Sequence, residues 1–318
     1  MSIIPYSSTY STVWNDFVRV SKNGTFLLER EYMEYHSQRF KDCSLLIYEG
    51  KTLIGLFPAN WDESSRSVCS HQGLTYGGLI YTSSCTILQV VKALQDVMQW
   101  YVKSLGALRL IYKTIPYIYH QCPAQEDLYA LFLAGAQLTG RSVGCVVSLS
   151  SVLRMRKLRL RGVKKALNHQ LTIAPMDEAD WHLLRTYWTL LSDVLAKYHS
   201  ATPVHSFGEM QLLMTRFPQQ IQLYVVRSGE EIVAGCLVFL MRNVARIQYI
   251  ASNDAGRELG ALDYLFHHLI NERFRELAFI DMGTSMAEDG FHLNEGLIFQ
   301  KEGFGARTVC FDTYTLTL

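Results

Sequence analysis

The sequence predicts an α/β protein of two domains. Predicted strands and helices alternate along the whole chain, and the alternation falls into two halves of similar order. The chain has 318 residues, which suits two domains of ordinary size. Hydrophobic residues make up 49% of the chain and charged residues 19%, which excludes a disordered protein.

The first half, residues 1–150, is predicted to be one domain. A hairpin turn at Glu49-Gly50 joins its first two strands. Its longest helix has apolar residues at 3.6-residue spacing and a glycine, Gly106, at its end. Residues 14–20 carry a short amphipathic pattern. The predicted helices cover residues 26–40, 86–105 and 125–138, the last ended by Gly140, and the strands cover 44–48, 52–59, 108–113 and 142–149.

The second half, residues 151–318, is predicted to be the other domain. Ser206 and Glu209 have the spacing of a capping box at the start of a helix. The predicted helices cover residues 178–199, 206–217 and 258–274, with a short helical pattern at 293–298. The predicted strands cover residues 171–174, 222–227, 232–241, 245–251, 277–281 and 308–318.

Composition narrows the class of protein. The net charge is +1, so any site for a polyanion must be local. The seven cysteines are odd in number and form no C-x-x-C pair, which argues against a zinc site or a disulfide framework and favours a reducing compartment. The N-terminus lacks a signal-peptide pattern, and no apolar run reaches the roughly 18 residues that span a bilayer. We therefore expect a cytoplasmic protein without a metal or a transmembrane segment.

The C-terminal stretch carries a recognisable pattern. In order, it contains Asp281-x-Gly283, Asn294-x-Gly296-Leu297 and Lys301-x-x-Phe304-Gly305. This pattern resembles the C-terminal signature of FemAB-like proteins of the GNAT (Gcn5-related N-acyltransferase) superfamily, in the bacterial tandem-GNAT group. Residues 24–28 and 70–78 are also similar to that group. The resemblance covers nearly the whole chain and implies two tandem GNAT-like domains, each with a mixed, mostly antiparallel central sheet flanked by helices.

The resemblance also implies a place for a cofactor. In GNAT enzymes the loop between a central strand and the next helix binds the pyrophosphate of coenzyme A, through backbone N–H groups and the helix dipole. Residues 253–260 have this position, so acyl-CoA is the implied co-substrate. The implied contacts are Gly256, Arg257, Gly260 and Ala261. Asp254 and Glu258 add negative charge at the same place, so an ordinary helix N-terminus is the alternative.

Three side chains are candidates for catalysis. The resemblance implies that Lys301 lies near the acyl donor and stabilises negative charge; the alternative is a solvated lysine that pairs with Glu302 or Glu295. Tyr249 belongs to a strand whose freed backbone N–H groups, near 249–251, would stabilise an oxyanion beside a gap in the sheet. His71 follows Ser70 in a glycine-rich loop and has the near-neutral pKa that acid–base catalysis needs; a structural loop histidine is the alternative.

Further positions are candidates for binding. The residues implied to contact a substrate are Tyr76, Asn294 and Phe304. The segment 154–165 holds Arg154, Arg156, Lys157, Arg159, Arg161, Lys164 and Lys165, and no carboxylate lies between Asp127 and Asp177. It would bind a tRNA end, a nucleotide-linked precursor or a lipid head group. The alternative is a solvated linker helix with these residues packed inward: Leu153, Leu158, Leu160, Val163 and Leu167.

Together these features predict an acyltransferase that moves an acyl group from an acyl-CoA thioester to an amine acceptor, a small molecule or a peptide. Two alternatives remain open: an aminoacyl-tRNA-dependent aminoacyltransferase acting on a cell-wall precursor, and a non-catalytic binding protein on a degenerate GNAT fold. The substitution Lys301→Ala separates enzyme from scaffold. An enzyme that uses this lysine should lose turnover and keep its melting temperature, whereas a scaffold should change in neither.

Overall fold

The computed structural model describes residues 1–177, 179–287 and 290–318. The chain divides into two compact units, Met1–Ser142 with Cys310–Leu318, and Val143–Val309. Both contain β-sheet flanked by helices, which confirms the predicted α/β class. The division into domains at residues 1–150 and 151–318 stays a prediction. The compact units differ from it at two places. Residues 143–150 belong to the second unit, and the last nine residues belong to the first, because Thr313–Thr317 pairs antiparallel with Arg109–Lys113.

The first unit is built from short strands and two principal helices. A four-stranded sheet has the order Ser2–Pro5, Leu45–Glu49, Thr52–Phe57 and Ile80–Tyr81, and Arg109–Lys113 pairs in parallel with Ser67–Cys69. Its strands are β1 (Ser2–Pro5), β2 (Lys41–Asp42), β3 (Leu45–Glu49), β4 (Thr52–Phe57), β5 (Asn60–Asp62), β6 (Ser67–Cys69), β7 (Ile80–Tyr81), β8 (Arg109–Lys113) and the start of β9 (Gln137–Ser148). Its helices are α1 (Ser11–Val20), α2 (Arg30–Met33), α3 (Ile87–Leu105) and α4 (Glu126–Leu133).

Two helices predicted in the first half are wrong in extent. The pattern at 26–40 breaks into α2 between two 3₁₀ turns, because Glu29 is extended and the Arg30 N–H donates to Asn15 Oδ1 (2.7 Å) instead of to a helical carbonyl. Helix α4 ends at Leu133 rather than near residue 138. Gly135, at φ 79°, terminates it, and the residues that follow are paired in β9.

The second unit contains the sheet order β10-β11-β12-β13-β14-β9, antiparallel except where β13 meets β14. The strands are β10 (Thr172–Pro175), β11 (Ile221–Ser228), β12 (Glu231–Leu240), β13 (Val244–Ser252), β14 (Phe279–Thr284) and, across the boundary between the units, β15 (Arg307–Thr317). The helices are α5 (Lys157–Asn168), α6 (Trp181–His199), α7 (Phe207–Arg216), α8 (Asp254–Leu259), α9 (Ala261–His268) and α10 (Glu295–Gly303).

Local sequence explains where these helices begin and end. The capping box predicted at Ser206 and Glu209 is present at the start of α7. The helix predicted at 258–274 begins earlier, at Asp254, because Asn253 caps it, and it breaks at Gly260, which has φ 75°. In the part of the chain that the structure describes, no helix has the length and apolar character to span a membrane.

Candidate functional site

Strands β13 and β14 pair only briefly and then separate. Three parallel pairs join them, ending with Arg246 and Asp281. Beyond that point β13 continues to Ser252 and β14 to Thr284 without pairing to each other. Backbone groups on the facing edges of such a gap lack a ladder partner, so they can hydrogen-bond an extended ligand. We call this gap the fork. The gap predicted between these two strands is confirmed.

A buried ion pair closes the narrow end of the fork. Arg246 Nη1 lies 2.8 Å from Asp281 Oδ2, and the Asp281 side chain is 0% exposed. Asp281 Oδ1 also accepts the Gly283 N–H at 2.8 Å, which bends the end of β14. A buried carboxylate needs such partners because its isolated charge would be costly. The sequence alone did not single out Arg246, although one arginine within the apolar run 244–247 was a visible signal.

A β-bulge lies on β13 at the fork. Tyr249 pairs with Leu237 and Ile247 with Val238, so Gln248 is an extra residue on β13. A bulge leaves its extra residue out of the ladder and turns the local backbone. The bulge therefore changes the direction of backbone groups where the two strands separate. It was not predicted, because composition carries no signal for a bulge.

Lys301 is anchored to the end of β14. Its ammonium donates to Gly283 O (3.1 Å), Thr284 O (2.8 Å) and Ser285 Oγ (2.9 Å). These three bonds use its three protons. The side chain is 6% exposed, and burial lowers the pKa of Lys301. The ammonium therefore fixes the loop that follows β14 and places a positive charge beside the fork.

The alternative interpretation of Lys301 as a solvated lysine is wrong. A solvated side chain would be exposed, whereas this one is buried. Glu302, one of the two proposed partners, instead pairs with Arg156 at 3.0 Å. Whether Lys301 acts in catalysis stays a prediction.

Tyr249 forms a pair with a histidine that the sequence did not identify as its partner. Tyr249 Oη lies 2.7 Å from His205 Nδ1 and accepts the His205 backbone N–H at 3.2 Å. Its ring packs edge-on against Trp188, with centroids 5.4 Å apart. Burial raises the pKa of Tyr249, and the bond from the His205 N–H opposes that rise. A phenol in contact with an imidazole is a suitable group for proton transfer.

Several polar and charged groups of the loop predicted to bind a cofactor already have partners within the protein. Asn253 Oδ1 accepts the Gly256 N–H at 2.8 Å and caps α8. Asp254 pairs with Lys197 at 2.8 Å. The Arg257 guanidinium stacks on the Tyr198 ring at 3.6 Å.

Helix α5 packs directly on this loop. A Cβ atom at Gly260 would lie 2.5 Å from the Gly162 carbonyl oxygen, and Arg159 pairs with Asp263 at 2.7 Å. A cavity of about 160 Å³ remains beside the loop. Its lining residues are Arg159, Ser252, Gly256, Arg257, Gly260, Leu262, Asp263 and Gln300. Three of the four predicted cofactor contacts thus share one small cavity, and the fourth, Ala261, is fully buried and does not line it.

Two of the predicted substrate contacts have structural partners in the second unit. Asn294 caps α10 by accepting the Leu297 N–H at 3.0 Å. Phe304 is fully buried and packs against Phe266, with ring centroids 4.9 Å apart. Their roles in substrate binding stay predictions.

The other two predicted residues, His71 and Tyr76, lie in the first unit. His71 has φ 74° and is 4% exposed, and burial lowers its pKa to about 3. Tyr76 contacts Thr25 Oγ1 at 3.0 Å and packs against the Tyr119 ring at 4.7 Å. An imidazole whose pKa is so far below neutrality is a weak base, so the structure offers no support for His71 as a base. Both roles stay predictions.

The basic segment lies in helix α5 from Lys157 onward, and its apolar residues do not all pack inward. Val163 is buried and Leu160 packs against the core, but Leu153, Leu158 and Leu167 are exposed. The expectation that all five apolar residues face inward is therefore wrong. Among the residues that the structure describes, no group of three or more His, Cys, Asp or Glu side chains is placed to hold a metal.

Comparison with known proteins gives a domain match for part of the chain and a fold for nearly all of it. Residues 154–289 match the family described as the acetyltransferase (GNAT) domain. The structure of FemX covers 98% of this chain and 97% of its own, with a TM-score of 0.67 and 11% identity. A comparison with the curated proteins gave no match.

Two further solved structures have a similar fold. The C-terminal domain of a putative lysylphosphatidylglycerol synthetase from Agrobacterium fabrum covers 97% of this chain and 92% of its own, with a TM-score of 0.59 and 14% identity. A tandem GNAT protein from the clavulanic acid biosynthesis pathway covers 99% and 98%, with a TM-score of 0.53 and 11% identity. At such identities the likeness concerns the fold alone.

Proposed function

Residues 154–289 match a GNAT domain and the chain shares the fold of FemX and of a tandem GNAT protein; from this premise we propose that the chain is a FemAB-like protein of the GNAT superfamily that transfers an acyl group from an activated donor to an amine acceptor. The fork between β13 and β14 supports this function most directly. Its unpaired strand edges can hold an extended donor by backbone hydrogen bonds. A small molecule or a peptide supplies the amine.

The groups around the fork suit the steps of acyl transfer. The amine attacks the donor carbonyl, the carbonyl oxygen becomes an oxyanion, and the amine loses a proton. The oxyanion then re-forms the carbonyl, the bond from the acyl carbon to the donor's sulfur (or ester oxygen) breaks, and the leaving thiol or hydroxyl departs with a proton. Backbone N–H groups near the Gln248 bulge stabilise the oxyanion, an effect of about 3 kcal/mol per donor in other enzymes. Lys301 adds positive potential beside the fork. Tyr249 accepts the proton from the amine while its own proton passes to His205 Nδ1.

We propose an acyl-CoA thioester as the donor. The cavity beside the 253–260 loop supports this choice, because Arg159 and Arg257 both line it. Its volume, about 160 Å³, is below the roughly 300–1,000 Å³ of a site for a whole ligand. A phosphate group is therefore the part of coenzyme A that this cavity accommodates.

Aminoacyl-tRNA is a second candidate for the donor. The packing of Gly162 on Gly260 and the carboxylate of Asp254 favour it, since both work against a pyrophosphate at the loop. An aminoacyl ester needs no pyrophosphate site. The fold shared with FemX also supports it, because FemAB-like aminoacyltransferases take their acyl group from tRNA. We propose a cytoplasmic location for the protein with either donor. All seven cysteines are free thiols, which supports a reducing compartment.

Calorimetric titration with acetyl-CoA and a longer acyl-CoA tests the donor. We expect saturable binding that Arg257→Glu weakens, because the substitution reverses a charge in the cavity lining. Arg275→Glu is the matched control, since Arg275 is exposed and pairs with its neighbour Glu276. Absence of heat with either thioester would remove coenzyme A from the proposal. Transfer from aminoacyl-tRNA to an amine would then be the next assay.

A further inference from the structure

Helix α5, the residues just before it and helix α10 carry exposed apolar and basic side chains. Leu153, Leu158 and Leu167 belong to α5 or precede it, and Phe299 belongs to α10; their exposed fractions are 42%, 50%, 53% and 54%. Seven cations lie between residues 154 and 165 of the same segment. We call these residues, with Val152 and the cations between residues 154 and 165, the α5/α10 surface. We propose that the α5/α10 surface docks on an anionic lipid bilayer.

Three contacts join the two segments into one surface. The Arg156 N–H donates to Gly303 O at 2.8 Å. The Arg156 guanidinium lies 4.7 Å from the centre of the Phe299 ring and pairs with Glu302 at 3.0 Å. The start of α5 and helix α10 are therefore neighbours.

Helical geometry determines which side chains of α5 point away from the core. Val163 and Ala166 are buried and mark the inward face. At about 100° per residue, Lys157, Arg161, Lys164 and Lys165 point away from that face, and Leu158 and Leu167 lie on its two flanks. A band of cations bordered by leucines can place charge at lipid phosphates while the leucines reach the acyl boundary.

Most of these cations have no acidic partner. Asp263 pairs with Arg159, and Glu302 pairs with Arg156. For the remaining cations of the segment, no carboxylate partner exists among the residues that the structure describes. The remaining cations are Arg154, Lys157, Arg161, Lys164 and Lys165. The whole chain has a net charge of only +1, so this local excess favours an anionic partner at this surface.

The apolar side chains favour a bilayer over a nucleic acid. A phosphodiester backbone is polar, so three leucines beside the cations would add nothing to its binding. Base stacking would need a free aromatic ring, and the ring of Phe299 already contacts Arg156. Cations and leucines on one helix both contribute at a bilayer surface. If the proposed function holds, docking there implies an acceptor amine that is carried by a lipid or a lipid-linked molecule.

Vesicle sedimentation with the full chain tests the docking, without donor or acceptor. We expect binding to vesicles of phosphatidylcholine with 30% phosphatidylglycerol and none to phosphatidylcholine alone. The variant Arg161→Gln/Lys164→Gln should bind about 25-fold more weakly at low salt, because each cation contributes roughly 1 kcal/mol, or fivefold. Leu158→Ser/Phe299→Ser should also bind more weakly, although its charge is unchanged. The control Lys51→Gln/Lys103→Gln removes two exposed lysines of the first unit and should bind as the wild type does.

Two results would overturn the inference. One is no binding to the anionic vesicles by wild-type protein. The other is vesicle binding that the cation variant loses but the leucine variant keeps, together with tRNA binding that shows the same difference between the two variants. That result would make the surface a general site for polyanions. Circular dichroism establishes that each variant is folded. Because the assay includes no acyl donor, failure of the acyltransferase proposal would not affect its outcome.

Discussion

At the scale of single residues, burial decides what the polar side chains can do. Lys301 was predicted from the resemblance, but its three acceptors were not predictable, because they belong to residues 283–285 on another element. Tyr249 was predicted on its strand, whereas His205 comes from a loop 44 residues earlier. A sequence shows which residue types are present, and long-range partners of this kind appear only in the fold.

Substitution of Lys301 tests its role. Lys301→Ala removes the donor for Gly283 O, Thr284 O and Ser285 Oγ, so we expect turnover to be lost and unfolding free energy to fall by about 1–3 kcal/mol. The expectation that an enzyme would keep its melting temperature in this variant is therefore revised. Ser285→Ala is the control, since it keeps the ammonium and should retain most turnover. Equal turnover in Lys301→Ala and wild type would exclude a catalytic role.

Tyr249→Phe tests the proton transfer. The substitution removes the hydroxyl that contacts His205 and leaves the ring packed against Trp188. We expect turnover to fall by roughly 10²-fold or more, the usual contribution of an acid–base group. Donor affinity, measured by calorimetry, should be unchanged. Wild-type turnover in this variant would assign the proton transfer to another group or to water.

The buried His71 makes stability depend on pH. Its pKa is about 3 in the folded protein, below its ordinary value of 6.5, because burial disfavours the charged ring. The unfolded chain therefore binds the proton more readily. The contribution of His71 to the free energy of unfolding is fully present above pH 6.5. It is lost as pH falls towards 3, by at most about 1.4 kcal/mol per pH unit.

His71→Asn should reduce that dependence on pH. Asparagine tolerates the φ of 74° at this position and does not titrate. Urea unfolding between pH 7 and pH 4 measures the effect, and we expect a smaller loss of stability in the variant. A slope identical to that of wild type would show that other groups cause the acid sensitivity.

At the scale of elements, periodic patterns located most helices and strands, and the fork followed from the resemblance. Helix α3 agrees with its prediction within one residue at each end, because Thr86 caps it and Gly106 terminates it. The break between α8 and α9 and the bulge at Gln248 were not predicted. Both features arise from tertiary packing. Helix α5 packs closely against Gly260, and the backbone of β13 changes direction where β13 separates from β14.

The contact between α5 and the 253–260 loop gives a prediction about stability. Gly260→Ala places a Cβ 2.5 Å from Gly162 O at φ 75°, so we expect destabilisation of at least about 1–2 kcal/mol. Gly208→Ala is the matched control. Gly208 lies inside α7 with open space around it, so alanine there should stabilise by about 0.5–1 kcal/mol. Chemical denaturation measures both, and an equal effect of the two substitutions would contradict the packing described for Gly260.

At the scale of the whole molecule, the α/β class and the tandem fold were predictable from element order and the C-terminal signature. The assignment of the last strand to the first unit was not, since strand partners across 200 residues leave no local pattern. The donor was not predictable either. A GNAT fold fixes the fork, whereas the groups beside it decide between a thioester and an aminoacyl ester.

Amide hydrogen exchange, measured with and without a donor, tests the fork as the acyl-donor site most directly. With acetyl-CoA, or with an aminoacyl-tRNA that carries a non-hydrolysable linkage, we expect new protection in residues 247–252 of β13 and 282–284 of β14. Both donors would protect these residues, because either acyl group must lie between the same strand edges. Protection confined to other segments, with a donor that supports turnover, would contradict the assignment of the fork as the donor site.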